Sequence, residues 1–499
     1  MTVPSQKPPL TLCPTGVSGL DEILCGGLPA NRIYLLQGDP GVGKTTLGLQ
    51  FLLEGLRRGE KGLYITLSET REELEQVADS HDWDLTGLDV FELSAMQNQL
   101  EGKVDSTFYH PSEVELNRTT DVLLDRVAQT DPMRVVFDSL SEMRMLAETP
   151  LRYRRQMLQL KQFFAGRKAT ACFLDDRSSG SRDLQIESIA HGVISLTRNS
   201  PEYGVARRQI LIQKIRGRKF REGHHDLILK KGGMEVFPRL VAADYRGPTG
   251  TESFTCGVAG LDALLGGGLD RGTSSMFMGP PGTGKSTLAV KFAHAAALRG
   301  EKSLIFVFDE SLHTLIGRAA QLGMDLAPHL QSGCMRIEQV DPAEISPGEM
   351  AARIRQGVLE NDVRLVGIDS INGYMNAMPE EHFLNLQLHE LLAFLNQQGV
   401  LTIMVLAQQG VLGTMQSSVD LTYLSDTVLL FRYFETGGSV RQALSVIKKR
   451  SGNHERTIRE IKVSDGEIQI GPPLSNLQGV LNGTPSILPS PIPSFGPIT

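Results

Sequence analysis

An internal repeat is the feature that most constrains how this chain folds. The segment TGVSGLDEILCGGLPANRIYLLQGDPGVGKTTL begins at Thr15, and CGVAGLDALLGGGLDRGTSSMFMGPPGTGKSTL begins at Cys256; the two align without a gap. The copies are offset by 241 residues at the lysine of each GK pair and by 231 residues at a later aspartate. A repeat of this length predicts a duplicated domain with small insertions, whereas a solenoid would repeat over a few tens of residues.

The repeat and the residues between its copies define the domain organisation. We predict an N-terminal segment over residues 1–14, a first domain over 15–245 and a second domain over 250–472. The boundary is DYRGPTGTE (Asp244–Glu252), which is rich in turn-forming residues. Residues 473–499 are predicted to be a proline-rich flexible tail, because closely spaced prolines block both helices and sheet ladders.

Short apolar runs alternate with helical patterns in each copy. The runs are IYLLQ, GLYITL, RVVFDSL and ATACFLDD in the first copy, and SSMFM, SLIFVF, RLVGIDS and LTIMVLA in the second. Such runs are typical of strands buried on both faces of a parallel sheet. The alternation predicts α/β domains, each a mainly parallel sheet flanked by helices, with ligands at the carboxyl ends of the strands.

Both copies contain the phosphate-loop (P-loop) pattern G-x-x-x-x-G-K-[ST] between a predicted strand and a predicted helix. The glycines let backbone N–H groups turn towards an anion, and the helix adds its positive end. The lysine reaches the terminal phosphates of a bound nucleotide. The predicted ATP-binding residues are Gly38, Gly41, Gly43, Lys44, Thr45 and Thr46 in the first copy, and Gly279, Gly282, Gly284, Lys285, Ser286 and Thr287 in the second.

A hydroxyl and a carboxylate in each copy predict a Mg²⁺ site. Thr45 and Ser286 follow the loop lysines, and Asp138 and Asp369 end buried strands. A carboxylate at the end of an apolar strand is costly unless it meets a cation or a donor. Holding the nucleotide's Mg²⁺ satisfies that need. The alternative interpretation is that these strand ends cap the helices that follow.

Acidic residues follow the second strand of each copy and are candidate catalytic residues. They are Glu69 in the first copy, and Asp309 and Glu310 in the second. A carboxylate in this position can orient or deprotonate an attacking water or hydroxyl. Helix capping is the alternative, because Thr70 and Glu73 fit a capping box.

These motifs resemble those of RecA-like ATPases, and specifically of the KaiC family of circadian-clock ATPases and autokinases. The resemblance covers about residues 13–470 and includes the lead-in G-V-x-G-L-D and the basic segments KIRGRKFREGHH and KKRSGNH. It implies tandem RecA-like P-loop domains in a homo-hexamer of two stacked rings, with ATP at each subunit interface. It also implies that Lys214, Arg216, Lys448 and Arg450 contact the nucleotide of a neighbouring subunit. The alternative for these basic runs is a solvated surface.

The same resemblance implies slow ATP hydrolysis in the first domain and autophosphorylation in the second. Three departures from the family pattern set this chain apart. Ser68 replaces one of the family's paired acids, and Asp309 is one methylene shorter than the usual glutamate. The adjacent Ser-Thr pair that the family phosphorylates aligns with Thr422 and Tyr423, so Thr422 is the candidate phosphosite. We interpret the chain as a KaiC-like paralogue in signalling or clock-like regulation.

Two other functional classes remain open from sequence. One is a nucleotide-gated interaction platform with little turnover, and the other is a RecA- or DnaB-like DNA motor. The net charge of −7 argues against nucleic-acid binding, as does the absence of Lys and Arg from the loop GVLGTMQSSVD. No apolar run reaches the roughly 18–20 residues of a membrane helix, and the N-terminus does not resemble a signal peptide. We therefore expect a cytoplasmic protein with no membrane contact, which acts with a regulatory protein partner.

Overall fold

The apolar runs and helical patterns predicted from sequence form two separate units in the computed structural model. The structure describes residues 11–93, 111–176, 184–247, 252–376, 383–408, 421–464, 466–482 and 485–487. The chain divides into one unit over Met1–Arg239 and another over Leu240–Thr499. Within the described residues, no helix combines the length and the apolar content that a membrane span requires.

The predicted strands of the first copy are present, and further strands follow them. Among the described residues, the strands are β1 (Leu12–Cys13), β2 (Leu28–Pro29), β3 (Ile33–Gly38), β4 (Gly62–Thr66), β5 (Asp89–Glu92), β6 (Arg134–Asp138), β7 (Thr170–Asp176), β8 (Gly192–Asn199), β9 (Arg207–Ile215), β10 (His224–Lys230) and β11 (Gly233–Phe237). The helices are α1 (Leu20–Ile23), α2 (Lys44–Arg57), α3 (Arg71–Ser80), α4 (Pro111–Thr130), α5 (Leu140–Ala147), α6 (Pro150–Ala165) and α7 (Leu184–Ile189).

The second copy contains a similar series of elements, with two additional short strands at its end. Among the described residues, its strands are β12 (Ser253–Phe254), β13 (Leu269–Asp270), β14 (Ser274–Gly279), β15 (Lys302–Val307), β16 (Met335–Gln339), β17 (Val363–Asp369), β18 (Leu401–Ala407), β19 (Thr427–Thr436), β20 (Ser439–Lys449), β21 (Arg459–Ser464), β22 (Glu467–Pro473), β23 (Leu477–Gln478) and β24 (Ser486–Ile487). The helices are α8 (Ala259–Leu264), α9 (Lys285–Leu298), α10 (Leu312–Gln321), α11 (Ala327–Gln331), α12 (Pro347–Asn361), α13 (Ile371–Asn376) and α14 (Leu384–Gln397).

Each unit is built on one large sheet, and the strand orders of the two sheets match. Within the described residues, the first is a nine-stranded sheet of order β5-β4-β6-β7-β3-β8-β9-β10-β11, and the second is β16-β15-β17-β18-β14-β19-β20-β21-β22. In the first, the strands from β5 to β8 are parallel, and β9, β10 and β11 extend the sheet in antiparallel fashion. The prediction of tandem, mainly parallel α/β domains is confirmed.

The central strands are buried on both faces, which explains their unbroken apolar sequences. On β3, Tyr34 and Leu36 point into the core that contains α2. Ile33 and Leu35 point into the opposite core, which contains α5 and α6. Side chains alternate across a strand, so a strand covered by helices on both faces needs apolar residues at successive positions. The carboxyl ends of these strands carry the P-loop and the candidate acids.

The boundary between the units lies slightly before the one that we predicted from turn-forming residues. Leu240 and Ala242 belong to the hydrophobic core of the second unit. The backbone N–H of Ala242 donates to Glu390 Oε2 at 3.1 Å, and the Tyr245 ring packs edge-on against Phe394. Apolar side chains in this short segment thus join it to the second domain, although its composition resembles a linker.

The residues after the last strand of the large sheet differ in part from the flexible tail predicted for 473–499. β23 pairs with β24, and Leu477 packs against a small core that contains Val480 and Phe434. This stretch contains apolar side chains that can be buried, whereas most of the prolines come after it. Residues 488–499 lie outside the described part of the chain.

Candidate functional site

Each P-loop joins a central strand to the helix that follows it. Gly43 and Gly284 are the N-cap residues of α2 and α9, with φ angles of 108° and 91° that favour glycine. Neither helix has a side-chain cap, so the first-turn N–H groups are left for an anion. Thr46 and Thr287, which we predicted with the loops, are buried in the first turns of these helices.

The loop lysines are buried and held by backbone carbonyl groups. Lys44 Nζ donates to two carbonyl oxygens of its own loop at 2.9 and 3.0 Å. Lys285 Nζ donates to the carbonyl oxygen of Pro280 at 2.6 Å. Burial lowers the pKa of Lys285 to about 8, and the charge of Asp369 opposes this shift. Both ammonium groups therefore lie inside their loops, where a phosphate would meet them.

The residues predicted to hold Mg²⁺ are brought together in both domains. Thr45 Oγ1 donates to Asp138 Oδ2 at 3.3 Å, and the Tyr64 hydroxyl donates to the same oxygen at 2.6 Å. In the second domain, Ser286 lies close enough to Asp369 to lower its pKa. Burial raises the pKa of both aspartates, and these polar neighbours oppose that shift. One hydroxyl and one carboxylate beside a phosphate site fit the oxygen ligands that Mg²⁺ prefers.

The helix-capping alternative is confirmed for the neighbours of Glu69, but Glu69 takes no part in it. Thr70 Oγ1 accepts from the Glu73 backbone N–H, and Glu73 accepts from the Thr70 N–H at 2.7 Å, which completes a capping box at α3. Thr66 Oγ1 donates to the Glu69 carbonyl at 2.7 Å and accepts from its N–H at 2.9 Å. The backbone of Glu69 is thus fixed while its carboxylate remains available.

The Glu69 carboxylate lies in an environment that suits a general base. Its Oε2 is buried and has no hydrogen-bond partner among the described residues. Burial, followed by the nearby charge of Asp138, raises the pKa of Glu69 to about 7, while Lys44 opposes the shift. A carboxylate with a pKa near neutrality accepts a proton from water more readily than an ordinary one does.

Both candidate acids of the second domain have side-chain partners. Asp309 Oδ2 accepts from the Ser370 hydroxyl at 2.5 Å. Glu310 Oε1 forms an ion pair with Arg318 at 2.7 Å. Val77 occupies the place of Arg318 in the first copy, so the residue at this position offers Glu69 no positive charge. The repeated acid position therefore differs in its electrostatic surroundings between the two domains.

Lys214 and Arg216 do not join the P-loop of their own domain. Lys214 lies at the end of β9 that pairs with the start of β8. Its Nζ donates to the carbonyl oxygen of Glu187, and Arg216 Nη2 donates to that of Ser188 at 2.6 Å. The start of β8 lies beside the start of β3, whereas the P-loop follows the other end of β3.

Lys448, Arg450 and Thr422 cluster at the same end of the second sheet. Lys448 Nζ donates to the Thr422 carbonyl at 2.9 Å, and Arg450 Nη2 donates to that of Tyr423 at 2.8 Å. The backbone just after Tyr423 accepts a hydrogen bond from the hydroxyl of Ser274, which is the first residue of β14. β14 has six residues, and at about 3.3 Å per residue it separates this cluster from the P-loop by about 17 Å.

Three side chains near the candidate sites were not among those predicted. Tyr64 and Arg318 contact predicted site residues directly, as described above. Asp176 ends β7 beside Gly38, and its Oδ1 forms an ion pair with Lys44 Nζ at 2.6 Å. The double aspartate that ends the ATACFLDD run was the available signal, because the second copy has Leu-Ala at the matching positions. The loop GVLGTMQSSVD, considered for a DNA motor, lies outside the described residues.

Comparison with known proteins identifies both domains. The family model "ATPase: KaiC" matches twice, over residues 13–241 and 254–475. The circadian clock oscillator protein KaiC of Parathermosynechococcus lividus is 25% identical over 493 residues, which cover 95% of this chain and 87% of that protein.

Two proteins of Synechocystis sp. (strain ATCC 27184 / PCC 6803 / Kazusa) are similarly related. Circadian clock protein KaiC2 is 27% identical, with 98% of this chain and 86% of that protein covered. Circadian clock protein KaiC3 is 25% identical, with 94% of each chain covered. Since the family model accounts for nearly the whole of both repeats and their P-loops, the chain belongs to the KaiC ATPase family as a KaiC-like ATP-binding protein.

Proposed function

We propose that this protein hydrolyses ATP in its first domain, with Glu69 as the general base. The observation that carries this proposal is the buried Oε2 of the Glu69 carboxylate, which has no hydrogen-bond partner among the described residues. Its raised pKa, about 7, suits proton abstraction near neutral pH. Its electrostatic coupling to Lys44 and Asp138 supports a position close to the phosphate and metal groups.

The P-loop and its neighbours would bind the nucleotide in both domains. Lys44 and Lys285 would contact the β- and γ-phosphates. Thr45 with Asp138 would hold Mg²⁺ in the first domain, and the corresponding pair would do so in the second. Bound Mg²⁺ would supply positive charge against the phosphates. Glu69 would then position a water molecule and remove its proton as the terminal phosphate is released.

The second domain is proposed to bind ATP and to hydrolyse it more slowly. Asp309 accepts a hydrogen bond from Ser370, and Glu310 is paired with Arg318. A carboxylate that is held by a guanidinium must lose part of that interaction before it accepts a proton, which raises the barrier to base catalysis. The two P-loops are thus proposed to have different roles.

We further propose that the protein assembles as a homo-hexamer of two rings, with each ATP at a subunit interface. Lys214 and Arg216 lie at the opposite end of the sheet from their own P-loop. Lys448 and Arg450 lie at the corresponding end of the second sheet, opposite the second P-loop. A cation in these positions can stabilise phosphate charge only if it reaches the nucleotide of another subunit.

A second activity, autophosphorylation of Thr422, is favoured by one specific observation. Thr422 lies beside Lys448 and Arg450, the two cations proposed to contact a neighbour's nucleotide. Transfer would form a bond between Thr422 Oγ1 and the γ-phosphorus and break the bond to the β,γ-bridging oxygen. The hydroxyl proton would pass to Asp309 or Glu310 of the neighbour, and ADP would leave.

The decisive experiment incubates the full-length protein with Mg·[γ-³²P]ATP and measures released phosphate and protein-bound label together. In a Lys285→Ala background, which silences the second site, Glu69→Gln should lower phosphate release by about 10²–10⁴-fold, the usual contribution of a general base. Glu310→Gln is the matched control and should lower it by less than about twofold. Unchanged release in Glu69→Gln would refute the assignment of the base.

The protein-bound label measured in the same incubations tests autophosphorylation of Thr422. Thr422→Val should abolish protein-bound label, and Tyr423→Phe should retain it. Label that persists in Thr422→Val would place the phosphosite elsewhere. If wild-type protein neither releases phosphate nor acquires label, yet assembles with ATP, the protein is a nucleotide-gated platform for a regulatory partner.

A further inference from the structure

The first P-loop lysine is bound by a carboxylate from a neighbouring strand. Lys44 Nζ and Asp176 Oδ1 are 2.6 Å apart, with Lys44 8% exposed and Asp176 37% exposed. Asp176 ends β7 directly opposite Gly38, the first residue of the loop. The carboxylate therefore contacts the ammonium group that would otherwise meet the terminal phosphates.

The strand end that presents Asp176 is fixed by its neighbours. Arg144 Nη2 donates to both carboxylate oxygens of Asp175, at 2.9 and 2.7 Å. Asp176 itself accepts from the Ser141 hydroxyl at 3.3 Å. These contacts join the end of β7 to α5. When a nucleotide separates Asp176 from Lys44, the carboxylate thus remains near the loop.

The second domain lacks this arrangement although its fold is the same. Ala407 lies opposite Gly279, as Asp176 lies opposite Gly38 in the first domain. Asn372 stands where the first copy has Ser141, and its side chain bonds the backbone N–H and carbonyl of Ala407 at 2.6 and 2.9 Å. Over the part of the chain that is described, no carboxylate forms an ion pair with Lys285.

We propose that Asp176 is a specificity-determining residue that lowers the preference of the first site for ATP over ADP. ADP and ATP share the α- and β-phosphates, and only ATP adds a γ-phosphate at the end of the loop. The displaced carboxylate repels that additional negative charge at short range, where solvent screens it incompletely. The second site, with Ala407, has no such repulsion and favours ATP more strongly.

This inference rests on the proposed nucleotide binding and is tested by equilibrium binding to the full-length chain. A Lys285→Ala background isolates the first site, and the probes are Mg·ADP and the Mg complex of the non-hydrolysable β,γ-imido analogue of ATP. Asp176→Asn should tighten binding of the ATP analogue roughly tenfold and that of ADP by less than about threefold. Asp131→Asn removes the same charge from an exposed position at the opposite end of the sheet and should change neither affinity.

The reciprocal substitution uses the second site. In a Lys44→Ala background, Ala407→Asp should weaken the ATP analogue more than ADP, and circular dichroism should show that each variant is folded. Equal effects on the two nucleotides, or no effect at either site, would overturn the inference. If the Lys285→Ala protein binds neither nucleotide, nucleotide binding by the first domain itself is refuted.

Discussion

At the scale of single residues, the two copies place the same acid in different surroundings. Glu69 and Glu310 occupy equivalent positions after the second strand of each sheet. Glu69 is half-buried and has a pKa of about 7, whereas Glu310 is paired with Arg318. The first copy has Val77 at the position of Arg318, and an apolar side chain there supplies no counter-charge.

Replacing Arg318 with valine, the residue at the matching position of the first copy, should raise the activity of the second site. Arg318→Val releases Glu310, so we expect ATP hydrolysis by a Lys44→Ala protein to rise about three- to tenfold, since an unpaired carboxylate is the better base. Phosphate release at saturating Mg·ATP measures this. Arg336→Ala, which removes an exposed arginine from the same domain, is the control and should leave the rate unchanged. No rise in Arg318→Val would show that the ion pair does not limit hydrolysis.

The pH dependence of the first site should report Glu69. A general base works when it is ionised, so a pKa of about 7 means that kcat/KM rises as pH increases through 7. Below that value, kcat/KM should fall about tenfold per pH unit. The measurement uses the Lys285→Ala protein between pH 6 and 8.5. Glu69→Gln should flatten the profile, and binding of the non-hydrolysable analogue over the same range controls for protonation of the nucleotide.

At the scale of elements, a buried arginine ties the central strands to the P-loop helix. Arg134 is the first residue of β6, and its side chain is fully buried. The guanidinium forms an ion pair with Glu60 and donates hydrogen bonds to the Pro14 carbonyl at 2.7 Å and to the Phe51 carbonyl at 2.8 Å. Its guanidinium also lies over the Phe51 ring at 4.8 Å. The second copy has the fully buried Leu365 instead. The same fold is therefore held by polar contacts in one copy and by apolar packing in the other.

Removing this side chain should destabilise the first domain specifically. Arg134→Ala removes the donor to the Pro14 carbonyl and an additional hydrogen bond to the Phe51 carbonyl, and it creates a cavity. We therefore expect a loss of about 2–4 kcal/mol in the free energy of unfolding. Urea denaturation followed by circular dichroism checks this. Arg71→Ala removes an exposed ion pair with Glu75 and should cost less than about 1 kcal/mol. Equal effects of the two substitutions would contradict the structural role of Arg134.

At the scale of the whole molecule, each domain contains only part of the proposed catalytic apparatus. The P-loop and the acids lie at the carboxyl end of the parallel strands. The basic residues that are proposed to contact a neighbour's nucleotide lie at the opposite end. Under the proposed assembly, a complete site would require two chains, with the loop and acid from one and the cations from the next. This arrangement would couple nucleotide turnover to assembly, as a ring-shaped ATPase requires.

Mixing two inactive variants tests whether sites are shared between chains. Arg216→Ala and Glu69→Gln should each reduce phosphate release at least tenfold when purified alone. Disassembly, mixing and reassembly with Mg·ATP should restore activity, because some interfaces then combine an intact Arg216 with an intact Glu69. The double variant mixed with itself is the control. Absence of any recovery in assembled mixtures would exclude the proposed contact between chains.

Much of the fold was predictable because its signals are local. The apolar runs, the P-loops and the repeat identified two α/β domains, and the strand orders of the sheets confirm them. The antiparallel extension by β9, β10 and β11 was not predicted, because polar residues interrupt the apolar runs of its strands. The packed segment around Val480 was also missed, since its few apolar side chains precede the proline-rich end and were included with it in one predicted tail.

The sequence by itself determined the duplicated domains, the P-loops and the candidate acids, because residue type and spacing along the chain carry those signals. Only the tertiary structure decided which of those acids is paired. In the second domain, the contact of Glu310 with Arg318 joins the turn after β15 to α10. In the first domain, the contact of Lys44 with Asp176 joins α2 to the end of β7. Such contacts depend on which strands and helices pack side by side. The two nucleotide sites differ physically in these contacts. The aligned sequences of the repeat alone make the two sites look nearly equal.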